Sequence, residues 1–380
     1  MAGRCVRVAS YAEMIRRIGP APRAAAALVA LLAAAHVRAA PPEQPRTAAR
    51  VIVAAHREGR VVVYSATDRS LVTPLLADFA ELHPAITVEY HDIPAREIHG
   101  RALAEAAARR GVGDVLWSSA MDLQIQLAND GFAMAYESPE TVNLPAWAVW
   151  RNEAFATTLE PIVFAYDAAR LPAAEVPRSH ADLVRLLDAE PPRWRGRVAT
   201  YDPERSAFGY LLLTQDSRLD PGFEGTLRAY RRAGITLVET SGAMIDGVLS
   251  GRDLLAVNVN GSYVLGARRT APRLALVYPS DYVLATSRIA LIPRTAQHPN
   301  AAKVFLDYLL SARGQDVLAN RCSLFSIRTD VEGEATAAAL ARTLGARLKP
   351  IHVGPSLLVH VDRLKQLEFL RRWRAAAVAP

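Results

Sequence analysis

The chain has 380 residues, 51% of them hydrophobic, so it can bury a large core and is longer than one compact α/β unit needs, which points to two domains. Its formal charge of +7 suggests a polyanion partner until the charges are located: residues 1–39 hold six arginines and one acid, and the rest holds 39 basic and 37 acidic residues, which removes the electrostatic case for nucleic acid. Cys5 lies in that basic segment and only Cys322 follows it, so a disulfide framework and a cysteine metal cage are both excluded.

In chain order, Arg4, Arg7, Arg16, Arg17 and Arg23 come first, followed by AAAALVALLAAA (Ala24–Ala35). That apolar run is shorter than the roughly 20 residues a membrane-spanning helix needs. With Val37, Arg38 and Ala39 behind it, residues 1–39 are expected to be a secretory signal peptide cut near Ala39, and the mature protein to be periplasmic. The Arg16-Arg17 pair suggests a twin-arginine route, but the Ile-Gly-Pro after it fits that route poorly. From Val51 short β-branched runs alternate with stretches of helical period, the pattern of an α/β fold with helix-covered parallel sheets. A helix ends near Gly59 and a strand covers Val61–Tyr64; Leu71, Leu75, Phe79 and Leu82 then predict a helix stopped by His83-Pro84, with Pro74 in its first turn. A second strand carries Ile86, Val88 and Tyr90, an Ala-rich helix runs from Pro94 to Arg110, and DVLW (Asp114–Trp117) is a third strand. Together these make βαβαβ, the start of a doubly wound lobe.

TTLEPIVFAYD (Thr157–Asp167) has no amphipathic helix beside it and is read as a crossing into a second lobe, and YVLATSRIALI (Tyr282–Ile292) as the return. The expected division is residues 46–160 with 282–380 as a discontinuous first lobe and 161–281 as the second, joined by a two-crossing hinge. The returning part holds HPNAAKVFLDYLLSARGQ (His298–Gln315), where Ala302, Phe305, Leu306, Leu309 and Leu310 form one apolar stripe. Prolines mark loops at 139–145 and 172–192. The basic cluster Arg363, Lys365, Arg371, Arg372 and Arg374 reads as a solvated helix face.

Four of these segments resemble the type II periplasmic solute-binding proteins of ABC importers, the branch serving ferric iron, phosphonates, thiamine and phosphorylated sugars. They are HPNAAKVFLDYLLSARGQ, AAHREGRVVVYSATD, DVLWSSAMDL and DPERSAFG, and the resemblance extends over Val51–Leu318. It implies two doubly wound α/β lobes, a small solute held between them, a membrane permease as partner, no cofactor and a monomer. A branch that this chain also resembles implies an alternative, a sensor subunit that reports its ligand to a histidine kinase.

In open α/β sheets ligands bind beyond the carboxyl ends of the strands, where helix N-termini offer free N–H groups. Four such ends carry small polar side chains: Ser65 and Thr67; Ser118 and Ser119; Tyr201, Asp202 and Ser206; and Asn258, Asn260, Ser262 and Tyr263. Each serine also has a capping reading, with Ser119 and Asp122 at capping-box spacing and Ser206 and Ser241 as helix caps. Trp117 is either a stacking platform or core filling. Ferric members place two adjacent tyrosines after the late strand, whereas this chain has Asn260-Gly261-Ser262-Tyr263, so Tyr263 would need Tyr64 and Tyr201 to complete a metal set. The histidines show no i, i+3 or i, i+4 pairing. The expected ligand is therefore an anionic organic solute, a phosphorylated or phosphonate metabolite, with ferric iron second. A secreted hydrolase is disfavoured, because G-x-S-x-G, H-E-x-x-H, a Walker loop and G-x-G-x-x-G are all absent.

Overall fold

The computed structural model describes residues 45–189 and 191–378, so the expected signal peptide, its cleavage point and Cys5 lie outside the described residues. In chain order the elements are α1 (Ala49–Glu58), β1 (Arg60–Ser65), α2 (Arg69–Leu82), β2 (Thr87–Asp92), α3 (Ala95–Ala107), β3 (Val115–Ser118) and α4 (Met121–Asn129). Then come β4 (Val149–Trp150), β5 (Ala154–Ala156), β6 (Glu160–Asp167), α5 (His180–Ala189), β7 (Val198–Tyr201), α6 (Ala207–Leu219), α7 (Phe223–Ala233), β8 (Thr236–Val238) and α8 (Ser241–Ser250). The chain continues through β9 (Leu255–Asn260), α9 (Gly261–Arg268), β10 (Leu274–Val277), β11 (Val283–Thr286), β12 (Ile289–Leu291), α10 (Pro299–Leu310), α11 (Ala312–Arg321), α12 (Ala337–Leu344), β13 (Leu348–Pro350) and α13 (Arg363–Ala377).

These elements build two α/β lobes. The first lobe's sheet runs β2-β1-β3-β12-β5-β4, and the second's runs β13-β11-β6-β9-β7-β8 with β10 against β6. β1 pairs parallel with β2 and β3 while β12 joins β3 and β5 antiparallel, and in the second sheet β7 pairs parallel with β8 and β9 while β6 joins β9 and β11 antiparallel, so each sheet is mixed. Strand β1 is buried on both faces. Val61 and Val63 pack with Phe79, Trp117 and Phe305 on one side, and Val62 and Tyr64 pack with Ile98, Leu116 and Ile125 on the other. A continuous apolar run is what such a strand needs. Trp117 is core, its indole N–H donating to Thr157 Oγ1 at 2.8 Å.

The segment His298–Gln315 is a scaffold, and its signature residues each hold it to another element. His298 donates its backbone N–H to Asp114 Oδ1 at 2.9 Å and sets its ring against Oδ2 at 2.8 Å. Buried Asp307 accepts hydroxyl bonds from Thr47, Tyr136 and Ser138 at 2.6–2.7 Å. Gln315 Nε2 donates to the carbonyls of Thr157 and Leu309, and its Oε1 accepts from Ser326 Oγ and Ile327 N, all between 2.7 and 2.9 Å. At Gly314 a Cβ would sit 1.9 Å from the Tyr308 carbonyl oxygen, so only glycine fits.

Four expectations are corrected, the first being the proline-marked loop at 172–192, which holds helix α5. Helix α2 begins at Arg69, which puts Pro74 in the helix interior. The run Tyr282–Ile292 is two strands on two different sheets, with the crossing at Ser287-Arg288. The C-terminal part does not all return to the first lobe: β13 pairs parallel with β11, and α13 packs on α7, burying Phe369, Trp373 and Ala377 in the second lobe's core. Between them the chain touches the first lobe, with Val353 N–H donating to the Trp147 carbonyl, His352 stacked on Trp147 at 5.8 Å and residues Pro355–His360 packed on α4. Three residues of strand are too short for a period to register, so this β13 edge was not visible in the pattern.

The two crossings between lobes are bonded to each other. Thr157 donates its N–H and its hydroxyl to the Arg288 carbonyl, each at 2.9 Å, and Arg288 N–H donates to Thr158 Oγ1 at 2.9 Å.

Candidate functional site

Between the lobes lies a cleft of about 360 Å³. Every α/β connection at its edge brings in a helix start: Asp68 before α2, Pro94 to Arg96 at α3, Ser119 before α4, Ser206 and Ala207 at α6, Thr240 to Gly242 at α8, and Asn260 before α9. The first turn of a helix has N–H groups with no intrahelical acceptor and the positive end of the dipole, so these starts direct partial positive charge into one space. The side chains at them meet part of that need. Ser206 Oγ accepts from Gly209 N, Thr240 Oγ1 from Ala243 N and Asn260 Oδ1 from Ser262 N. The cap of α8 is thus Thr240, not Ser241, and α4 has no side-chain cap, so Ser119 and Asp122 do not form the capping box that their spacing suggested.

The floor of the cleft is Arg288, whose side chain is 1% exposed. Its Nε lies 2.9 Å from Glu160 Oε1, its Nη2 donates to Glu160 Oε2 at 3.2 Å, its Nη1 donates to Thr67 Oγ1 at 2.6 Å, and its guanidinium sits 5.9 Å from the Tyr263 ring centroid. Burial works against its charge, but Glu160 and the phenols of Tyr263 and Tyr90 hold the pKa above its ordinary value. Arg288 therefore touches the first lobe through Thr67, the crossing through Glu160 and the second lobe through Tyr263. Arg96 and Arg205 also line the cleft, against the carboxylates of Asp68, Asp92 and Glu239; Arg205 is paired with Glu239. The side-chain charges nearly balance, which leaves the helix starts as the directional feature.

Of the residues singled out in the sequence, Ser119, Tyr201, Ser206, Asn260 and Tyr263 line this cleft. Thr67 stands behind it, holding Arg288. Ser65 and Ser118 are buried, each accepting from a backbone N–H two residues on, Thr67 and Ala120 respectively. Asp202 caps its own turn through Glu204 N. Ser262, in the first turn of α9, is buried and is not part of the lining. Asn258 takes a left-handed φ of 61° and donates to Asp216 Oδ2 at 2.8 Å; that carboxylate also accepts from Tyr282 OH at 2.9 Å, so Asn258 belongs to a buried cluster inside the second lobe. The Tyr64, Tyr201 and Tyr263 set is not brought together, since the Tyr64 hydroxyl donates to Glu105 on α3 at 2.8 Å and is not part of the lining. Burial raises the pKa of all three phenols, Tyr64 to about 12, which disfavours the phenolates that a trivalent cation needs. Among the described residues no group of three or more His, Cys, Asp or Glu is arranged to hold a metal ion.

The sequence reading passed over Arg288, Arg96 and Arg205. For Arg288 a signal was present, a single charge inside the apolar run Tyr282–Ile292, the kind of residue that is buried only when paired.

The bacterial extracellular solute-binding protein family matches residues 61–321. The chain is similar to the substrate-binding protein of an ABC transporter from Agrobacterium tumefaciens, at 35% identity over 84% of this chain and 94% of that one, with a TM-score of 0.80. It shares a fold with iron-bound HitA from Pseudomonas aeruginosa (19% identity, 84% and 99% covered, TM-score 0.67). It also shares it with AfuA from Actinobacillus pleuropneumoniae, solved with fructose-6-phosphate (18%, 84% and 99%, TM-score 0.68). No curated protein matches the chain.

Proposed function

We propose, for a chain that belongs to the bacterial extracellular solute-binding proteins and is the substrate-binding component of an ABC transporter, that its solute is a small organic anion, a phosphorylated or phosphonate metabolite. The observation that carries this is the convergence of six helix starts on one cleft. An oxyanion placed there accepts from first-turn N–H groups of the second lobe, from Arg205 and from the Arg288 guanidinium at the floor, while Asp68 and Asp92 in the first lobe face the remainder of the solute and require it to carry hydrogen-bond donors such as hydroxyls. A solute bonded to both lobes stabilises the closed arrangement by its differential affinity, and a permease reads that arrangement. Ferric iron is the second reading, carried by the iron-bound fold relative and by Tyr201 and Tyr263, which both line the cleft. The protein acts as a monomer, without a cofactor and without turning its solute over; a histidine kinase is a second possible reader.

Native mass spectrometry of the protein purified from its periplasm tests the assignment. A retained organic phosphate is the expected result, and a mass increment of one iron atom would overturn it. The same spectrum reports the N-terminus, expected at Ala40 after removal of residues 1–39 as an export leader.

Tyr263 also faces the opposite lobe, its phenol oxygen turned toward the backbone of Asp68. Tyr263→Phe is expected to weaken binding of the retained solute about fivefold, the loss of one hydrogen bond, with melting near wild type. Ser262→Ala is expected to leave affinity unchanged, because that hydroxyl is buried away from the cleft. Calorimetry on both variants checks this, and equal effects would contradict the placement.

A further inference from the structure

We propose that closing the two lobes takes up a proton at Asp122, so that acidification favours the closed, solute-holding form. This rests on the lobe movement proposed above. Asp122 is in the first turn of α4, 4% exposed, and its carboxylate accepts one hydrogen bond, from Leu123 N at 3.0 Å. Among the described residues it has no cation at ion-pair distance; Arg96 on α3, which also lines the cleft, acts on it from farther away. What covers this helix comes from both sides of the gap: α3 from the first lobe, α6 from the second, and the turn Pro355–His360 that crosses between them. From α6 Tyr210 faces the carboxylate, and its hydroxyl donates to the His360 carbonyl at 2.8 Å, tying second lobe and crossing turn together over the same spot.

The titratable and charged groups around it are few. Arg96 faces it from α3, Tyr210 from α6, and the crossing turn brings His360, whose pKa is lowered by burial and by the nearby cations Arg218 of α6 and Lys365 of α13. His99 on α3 interacts with Gln126 and Asp130 at the far end of α4. The strands beneath, β3, β5 and β12, carry no ionisable side chain. A carboxylate in this setting is desolvated with only partial compensation from backbone N–H groups and the more distant Arg96, and burial pushes its pKa up to about 6. Separating the lobes withdraws α6 and admits water, returning the group toward the ordinary carboxylate value near 3.9. The closed form is therefore the one that binds the proton more tightly. Its advantage is complete below the open-state value and is lost as pH rises through about 6.

The test is the distance distribution between nitroxides on a mature Val142→Cys/Leu219→Cys protein, two exposed positions on opposite lobes. Native Cys322 is buried with a thiol pKa near 12 and does not label. Without solute, the closed-to-open ratio is expected to be about tenfold higher at pH 5.0 than at pH 7.5, and Asp122→Asn, added to the pair, is expected to remove that rise on acidification, leaving at most the opposite trend from His360. A wild-type ratio that ignores pH, or an Asp122→Asn ratio that still rises on acidification, overturns the proposal. Addition of fructose 6-phosphate at pH 7.5 separates the two ideas: closure by the anion with no response to pH sinks the proton link alone, and no closure under any condition sinks both. If Asp122→Asn does not fold, the wild-type pair at the two pH values still decides.

Discussion

An Arg288→Met/Glu160→Gln double variant is expected to keep a melting temperature within a few degrees of wild type and to bind the cleft's solute about 100-fold more weakly. The two residues must be replaced together. Arg288 and Glu160 are each 1% exposed and paired with one another, so removing the arginine alone strands a buried carboxylate, a loss of about 3–5 kcal/mol that would confuse misfolding with lost affinity. Replacing both with uncharged side chains of similar volume removes the charges in balance, and such exchanges are close to neutral for stability. The affinity loss is then attributable to the cleft. A guanidinium on its floor contributes charge-assisted hydrogen bonds to an anion, about 1.5–3 kcal/mol, which at the upper end is the 100-fold named. Isothermal calorimetry with the solute recovered from the native protein reads the result. Unchanged affinity would mean that Arg288 serves only to brace the crossings.

Gln315→Leu is expected to lower stability by about 4 kcal/mol and the melting temperature by about 6 °C, while solute affinity at low temperature changes little. The side chain is fully buried and makes four hydrogen bonds, two as donor and two as acceptor. Leucine fills the volume but leaves two carbonyls, a hydroxyl and a backbone N–H without their partner, and desolvated polar groups of this kind cost about 1–3 kcal/mol each before neighbours relax. One of those carbonyls belongs to Thr157, the residue that also bonds to Arg288 across the crossing, so the damage is next to the hinge. Differential scanning calorimetry checks the size. A shift under 2 °C would show that the surrounding loops can satisfy these groups without Gln315.

These two predictions concern residues of different visibility in the sequence. Gln315 sits in the segment His298–Gln315 that carried the family resemblance, and the structure shows why such a segment is recognisable: His298, Asp307, Gly314 and Gln315 each meet a specific partner, so their side chains are specified one by one. Arg288 carried no motif. Its meaning depends on Glu160, 128 positions earlier, on Thr67, 221 positions earlier, and on the Tyr263 ring. Asn258 shows the opposite error. It lies after apolar residues, as a ligand residue would, yet a left-handed backbone turns it inward to Asp216.

The sequence by itself determined the α/β class, the alternation of strands and helices, the two crossings between lobes and the loops from which the cleft is lined, because periodicity and turn chemistry are local properties that each segment expresses alone. Tertiary structure alone decided which polar side chains at those loops face the cleft, that Arg288 forms its floor, that Tyr64 is turned away, and that β13 and α13 attach to the second lobe. The physical reason is one of range. A side chain's direction along a strand alternates within two residues, but the compensation of a buried charge or amide comes from whatever distant segment the fold brings alongside, and that pairing exists only after the lobes have assembled.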